Sequence, residues 1–178
     1  GFISSFNQTI PIYSDDYSIE NRYNFAKYYS PNENAIISLK FLAHSVTSLA
    51  GDDVRISKRI YIPNKRLKGF ESGKIGPKDG TDYVGGNYAT AFNLTTTMPN
   101  LLNELENIDF SLFFDAGNVW GVDYNSSIDE NSKIRSSAGL AVDWFTPIGP
   151  LSFSFAQAIT KADTDKTETF RFDIGTTF

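Results

Sequence analysis

The sequence contains no cysteine, one histidine and one methionine. Without cysteine there are no disulfides and no thiolate metal ligands. The lone His44 has no HExxH spacing and no nucleophile motif beside it, so it reads as a polar lumen or loop residue. No apolar run approaches the roughly 18 residues of a transmembrane helix, and the N-terminus shows no signal peptide. If the protein is exported, this chain is expected to be cut from inside a longer precursor. The net charge is -5 and the basic residues form no long run, which gives no support for nucleic-acid binding. Asp109, Asp115 and Asp143 fall on polar faces of different strands without metal-site spacing. The glycine-rich stretch lacks the GK[ST] ending of a phosphate cradle. Nothing argues for an enzyme, a metal or a cofactor.

What the sequence has is aromatic residues and alternation. Its 178 residues include 15 Phe and 9 Tyr and suit one domain or half of a larger one. Runs of period two recur between turn signals. They cover 2–12 (ragged), 17–29, 35–49, 88–98, 108–120, 134–145, 151–159 and 169–178, which makes eight strands. The run 108–120 is the cleanest, with Ile108, Phe110, Leu112 and Phe114 against Asp109, Ser111, Asp115 and Gly117. A turn is expected at Ser30-Pro31-Asn32, a tight turn at Thr146 to Pro150, and a short turn of helix over 100–107. The fold class is all-β, an antiparallel meander.

Alternation fits both a soluble sandwich and a transmembrane barrel. Three features favour the barrel. Compact turns alternate with long polar loops at 66–86, 121–133 and 161–167, the asymmetry of outer-membrane barrels. Aromatics gather near strand ends, where an interfacial girdle would hold them. The chain ends in alternation on Phe178, with no polar tail.

One stretch does not fit a strand. From Arg66 to Gly80, glycine or proline interrupts the chain every few residues, yet Phe70 and Ile75 are large apolar groups. Such a loop is either a surface loop with its own hydrophobic plug or a functional one.

Five motifs in order resemble the BamA family, whose members fold other barrels into the bacterial outer membrane. They are the glycine-rich loop, Val84-Gly85-Gly86-Asn87, the strand Phe113 to Trp120, the segment Ser137 to Leu151, and the ending Phe170 to Phe178. The resemblance covers about 66–178 and is weak over the first three strands. It implies a sixteen-stranded barrel of which this chain is the C-terminal half. POTRA domains and the N-terminal strands are absent from the chain. It also implies that the loop at about 63–86 folds inward, with Leu67, Lys68, Gly69 and Phe70 at its tip. Lysine stands where the family has arginine, and Asp115 matches the acidic partner on the barrel wall. Thr95 stands where relatives carry a second acid. The competing reading is that Lys68 faces water.

Phe170, Phe172, Ile174 and Phe178 match the terminal β-signal. Gly175 matches a glycine that kinks the last strand and loosens the seam; alternatively it only makes room for a neighbouring side chain. The implied partners are unfolded outer-membrane protein clients, accessory assembly lipoproteins and outer-membrane lipid, in the bacterial outer membrane. The alternatives are a two-partner secretion or TamA-like translocator, a passive porin-like barrel and, as an outsider, a soluble β-sandwich adhesin.

Overall fold

A computed structural model describes residues 1–12, 17–99, 101–102, 107–130, 133–147 and 149–175. Ten strands form among them: β1 (Phe2–Thr9), β2 (Ser18–Asn32), β3 (Ala35–Ser48), β4 (Lys78–Asp79), β5 (Asp82–Tyr83), β6 (Tyr88–Pro99), β7 (Ile108–Trp120), β8 (Arg135–Thr146), β9 (Gly149–Thr160) and β10 (Phe170–Ile174). Eight of them make one sheet in the order β1-β2-β3-β6-β7-β8-β9-β10, and β4 and β5 form a separate short hairpin. Every pairing in the large sheet is antiparallel and joins strands consecutive in the chain, apart from the small hairpin inserted between β3 and β6. This is the meander that the alternation predicts. Ile148 and Phe178, and most of the 100–107 stretch, lie outside the described residues.

The first tight turn falls later than the sequence suggests. Strand β2 runs on through Ser30-Pro31-Asn32, and the turn occupies Glu33 and Asn34. A register shift between Tyr29 and Asn32 absorbs the proline, as a bulge can. The Asn32 Oδ1 accepts from the Asn34 N–H, and Ser30 Oγ donates to the Ala35 carbonyl. The side chains therefore close a turn that proline alone does not make.

Register assigns each side chain to a face. Asn93, Asp115 and Ser137 share one row across β6, β7 and β8. The neighbouring row of Leu94, Phe114 and Ala138 points the opposite way, because successive side chains alternate. The first face, the inner one, is mostly polar and carries the long β3–β6 connection. The outer face carries Phe114, Leu140, Trp144, Phe155, Phe170, Phe172 and Ile174, all exposed, with rings of β9 and β10 in contact. In water such an apolar face would call for a covering layer. In hydrocarbon it is the surface a membrane strand presents.

The hydrophobic core lies between the connection and the inner face. Val54, Ile60, Ile62, Leu67, Phe70 and Ile75 pack with Leu42, Val46, Ala89, Ala91 and Val119. The connection reaches back to Val54, well before the 63–86 boundary drawn from glycine and proline. Its entry is pinned by backbone bonds in both directions between Ile60 and Gly86.

Gly139 permits close packing of β8 on its neighbours. A Cβ there would stand 2.0 Å from the Phe155 carbonyl oxygen and 2.8 Å from the Phe113 ring. Gly139→Val is expected to destabilise the fold by about 1–3 kcal/mol or more, the usual penalty for overpacking. The readout is the temperature at which the folded band is lost in heat-modifiability gels. Gly80→Ala, in open space at φ 58°, should cost only the roughly 1–2 kcal/mol of left-handed backbone strain, with no overpacking added.

Candidate functional site

The loop tip is built around a carboxylate that is completely buried. Asp115 sits mid-strand on β7, on the inner face, with 0% of its side chain exposed. Its Oδ2 accepts from Lys68 Nζ at 2.9 Å and from the Lys68 backbone N–H at 3.1 Å. Its Oδ1 accepts from Asn93 Nδ2 at 2.7 Å. The Lys68 ammonium also stands 4.1 Å from the centroid of the Phe113 ring, where the negative ring face adds attraction. Lys68 does not face open water, so that alternative reading is set aside. A carboxylate with an ion-pair partner and two further donors is satisfied, whereas a bare one at this depth would carry a large desolvation cost.

Neighbouring groups fix the tip in place. The Lys68 carbonyl accepts from Ser137 Oγ, and the Arg66 carbonyl accepts from Asn93 Nδ2 at 2.8 Å. Gly69 has φ 89°, and a Cβ there would lie 3.0 Å from Ser137 Cβ and 3.2 Å from Ala156 Cβ. It is glycine for both reasons, backbone conformation and lack of room. Leu67 and Phe70 are buried among the core residues. Phe70 bridges Thr167, and the Glu71 N–H donates to the Lys166 carbonyl at 3.0 Å. The tip thus pairs in short pieces with the β9–β10 connection. Thr95 faces the same side but makes no bond to Lys68; Asn93 supplies the second polar contact to Asp115. The sequence reading missed Asn93 and Phe113. For Asn93 the signal available was its place on the polar face of its own strand.

Below the tip, toward the short turns, a pocket of about 330 Å³ opens on the inner face. Lys40 and Lys68 line its inner end, and Asp109, Asp143 and Asp173 line the other.

Two further clusters tie the long connections together. Asp123 accepts from the Val54 N–H at 2.7 Å, from Asn87 Nδ2 at 3.0 Å and from Arg59. Arg135 is fully buried and binds Asp165 through two bonds of 2.9 Å, with Asn118 and Glu130 completing its shell. Neither cluster was anticipated. Most of their members sit in polar loops, where a charge normally meets water, and only tertiary structure brings them together.

At the other end of the chain, Phe170, Phe172 and Ile174 point outward from β10, and Arg171 and Asp173 point inward. Gly175 has φ 112°, and a Cβ there would meet nothing within 4 Å. Among the described residues nothing crowds it, and the positive φ is the feature that favours glycine there. Its N–H donates to the Pro150 carbonyl at 3.0 Å, next to the Ile174–Leu151 pair of β10 and β9.

Similarity to known proteins decides the family. The sequence profile of the Omp85 superfamily domain matches residues 1–178. The chain belongs to the Omp85 superfamily. It is 34% identical over 140 residues to the outer membrane protein assembly factor BamA of Neisseria meningitidis serogroup B, covering 63% of this chain and 17% of that protein. It is 27% identical over 150 residues to BamA of Neorickettsia risticii, covering 83% of this chain and 20% of the relative. The crystal structure of BamA from Haemophilus ducreyi lacking POTRA domains 1–3 superposes with a TM-score of 0.87 at 28% identity, covering 97% of this chain and 37% of that one. The chain thus spans about a fifth of the length of the curated relatives it matches. Family and outward-facing apolar side chains together make this an outer-membrane protein.

Two outcomes are expected. Asp115→Asn should leave the Lys68 ammonium with only a neutral partner and cost about 3–5 kcal/mol, the scale for breaking a buried pair. Limited proteolysis should then cut within 66–86 faster than in the parent. For Asp123, burial raises the carboxyl pKa, but the Val54 N–H, Asn87 and Arg59 bonds outweigh it and hold the value below the ordinary carboxylate range. A depressed folded value means the clamp contributes fully above the unfolded pKa of about 3.9 and is lost only as pH falls through the lower folded value. The loop entry should stay protected from exchange at about pH 5 and open on stronger acidification, whereas Asp123→Asn should open it at neutral pH.

Proposed function

We propose that this chain is the C-terminal barrel portion of an assembly factor that folds and inserts client β-barrel proteins into the outer membrane. The observation that carries the reading is the terminal strand. Strand β10 is the last strand of the sheet order among the described residues, turns Phe170, Phe172 and Ile174 outward, and leads into a glycine in a positive-φ conformation. On this reading β10 is one side of the barrel seam, and where the seam parts, its N–H and C=O groups are open to an incoming strand. A client needs that template because an unpaired backbone group in hydrocarbon costs several kcal/mol. The names of the relatives, each an assembly factor, support the same reading over a translocator or a passive pore.

On this reading the chain supplies the last eight strands of a sixteen-stranded barrel. Lys68 and Asp115 seat the inward loop, and Phe170, Phe172 and Ile174 present the apolar side of the edge. Unfolded clients, accessory lipoproteins and outer-membrane lipid are the partners. Pairing and burial drive the work, so the reading calls for no catalytic residue and no cofactor.

Gly175→Val tests it. Valine disfavours a φ of 112°, so the backbone at this position should straighten and tighten the strand's pairing. The expected result is a higher unfolding temperature together with impaired growth in a complementation assay. A valine variant that is less stable and fully active would refute the role of the bend.

A further inference from the structure

Arg171 is the one inward-facing cation of β10, and the assembly reading assigns it no work. Its guanidinium reaches across to the inward loop. Nη2 donates to the Phe70 carbonyl at 2.6 Å, and Nη1 donates to the Asn64 carbonyl at 3.2 Å. Nε donates to Glu168 at 2.8 Å, and Nη2 also contacts that carboxylate. The side chain is largely buried. One residue of the edge strand therefore holds both ends of the loop segment that contains the Lys68 tip.

We propose that Arg171 is a latch that couples docking of the loop tip to the position of the edge strand. Three features make the coupling specific. The two carbonyls, of Asn64 and Phe70, flank the tip, so they meet one guanidinium only when the tip is folded as it is here. The planar fork spans them and the carboxylate at once, which a lysine ammonium cannot do. Finally, Arg171 ties β10 to the loop across the inner face, a hold independent of its ladder to β9. The tip is fixed at its other side by Asp115, on a strand remote from β10 in the chain, through Lys68. Tip and edge thus share one rigid body, and releasing either should release the other. Arg171 is a positioning residue: it governs when the edge is free to accept a strand, and this last step rests on the assembly reading.

Linkage makes the test reciprocal. Hydrogen exchange is measured on the full-length protein in detergent micelles for the parent, Arg171→Gln, Arg171→Lys and Asp115→Asn, each first shown to be folded by heat-modifiable mobility. Arg171→Gln should speed exchange of the 66–71 amides about tenfold, the scale of one lost charge-assisted hydrogen bond. Asp115→Asn, which touches only the far side of the tip, should speed exchange in 170–174 by a similar factor. Arg171→Lys keeps the charge and loses the fork, so it should fall closer to Gln than to the parent. If Asp115→Asn leaves 170–174 unchanged, or Arg171→Lys matches the parent, the latch is overturned. Complementation is scored separately. Coupled exchange together with unaltered assembly would keep the latch and refute the role of the edge in assembly, whereas uncoupled exchange removes the latch whatever the growth assay shows.

Discussion

A sheet that turns its apolar side chains outward cannot form its hydrophobic core from its two faces in the ordinary way. Here the constraint is met by a loop. The connection between β3 and β6 brings Val54, Ile60, Ile62, Leu67, Phe70 and Ile75 to the inner face, where the small residues Ala89 and Ala91 leave room for them. The buried Asp115 then decides where the tip sits, because its carboxylate has to find a cation at that depth. Lys68 supplies the cation and two other donors complete the shell. The path of the loop, the packing of Gly69 on β8 and β9, and the pairing of Phe70 with Thr167 follow from that seat.

Lysine at the tip changes the chemistry without emptying the site. An arginine fork could engage two carboxylates side by side, whereas an ammonium is a compact charge with freely rotating donors. The structure matches the simpler cation with a simpler shell: one carboxylate, a neutral asparagine amide on its other oxygen, and the face of Phe113. Thr95 lines the pocket below and is not needed for charge balance at the tip. A single ammonium with a single carboxylate is a self-consistent solution to the electrostatics of a buried tip.

The strands were legible in the sequence because alternation is a local property. Ile108 to Trp120 could be read as a half-buried strand from its own residues, and its polar face placed Asp115 on the inner side. The turn after β2 was not legible, because Pro31 marks a break in most contexts and here is absorbed by a bulge. The start of the loop was missed for a related reason. Val54 and Ile60 look like scattered apolar residues until the fold carries them under the sheet. The Asp123 and Arg135 clusters had no local signal at all, since their members come from segments far apart in the chain. Gly175 was visible as an oddity in a strand pattern, but its positive φ is a property of the folded backbone that no local pattern announces.

The distribution of ties along the strands has a mechanical consequence. At the long-loop end, Asp123 gathers Val54, Arg59 and Asn87, Arg135 joins Asp165 to Glu130, and Tyr83 reaches the Thr164 carbonyl. At the short-turn end, the inner face holds an open pocket with Asp109, Asp143 and Asp173 along one side. Among the described residues the ties between distant segments gather at the long-loop rim, whereas side-chain bonds at the short-turn rim join neighbouring strands only, like the ribs of a hand fan. A lateral load would spread the strands from the short-turn rim and leave the long-loop rim as the pivot, so the opening would be a wedge, widest on the side from which the compact turns project.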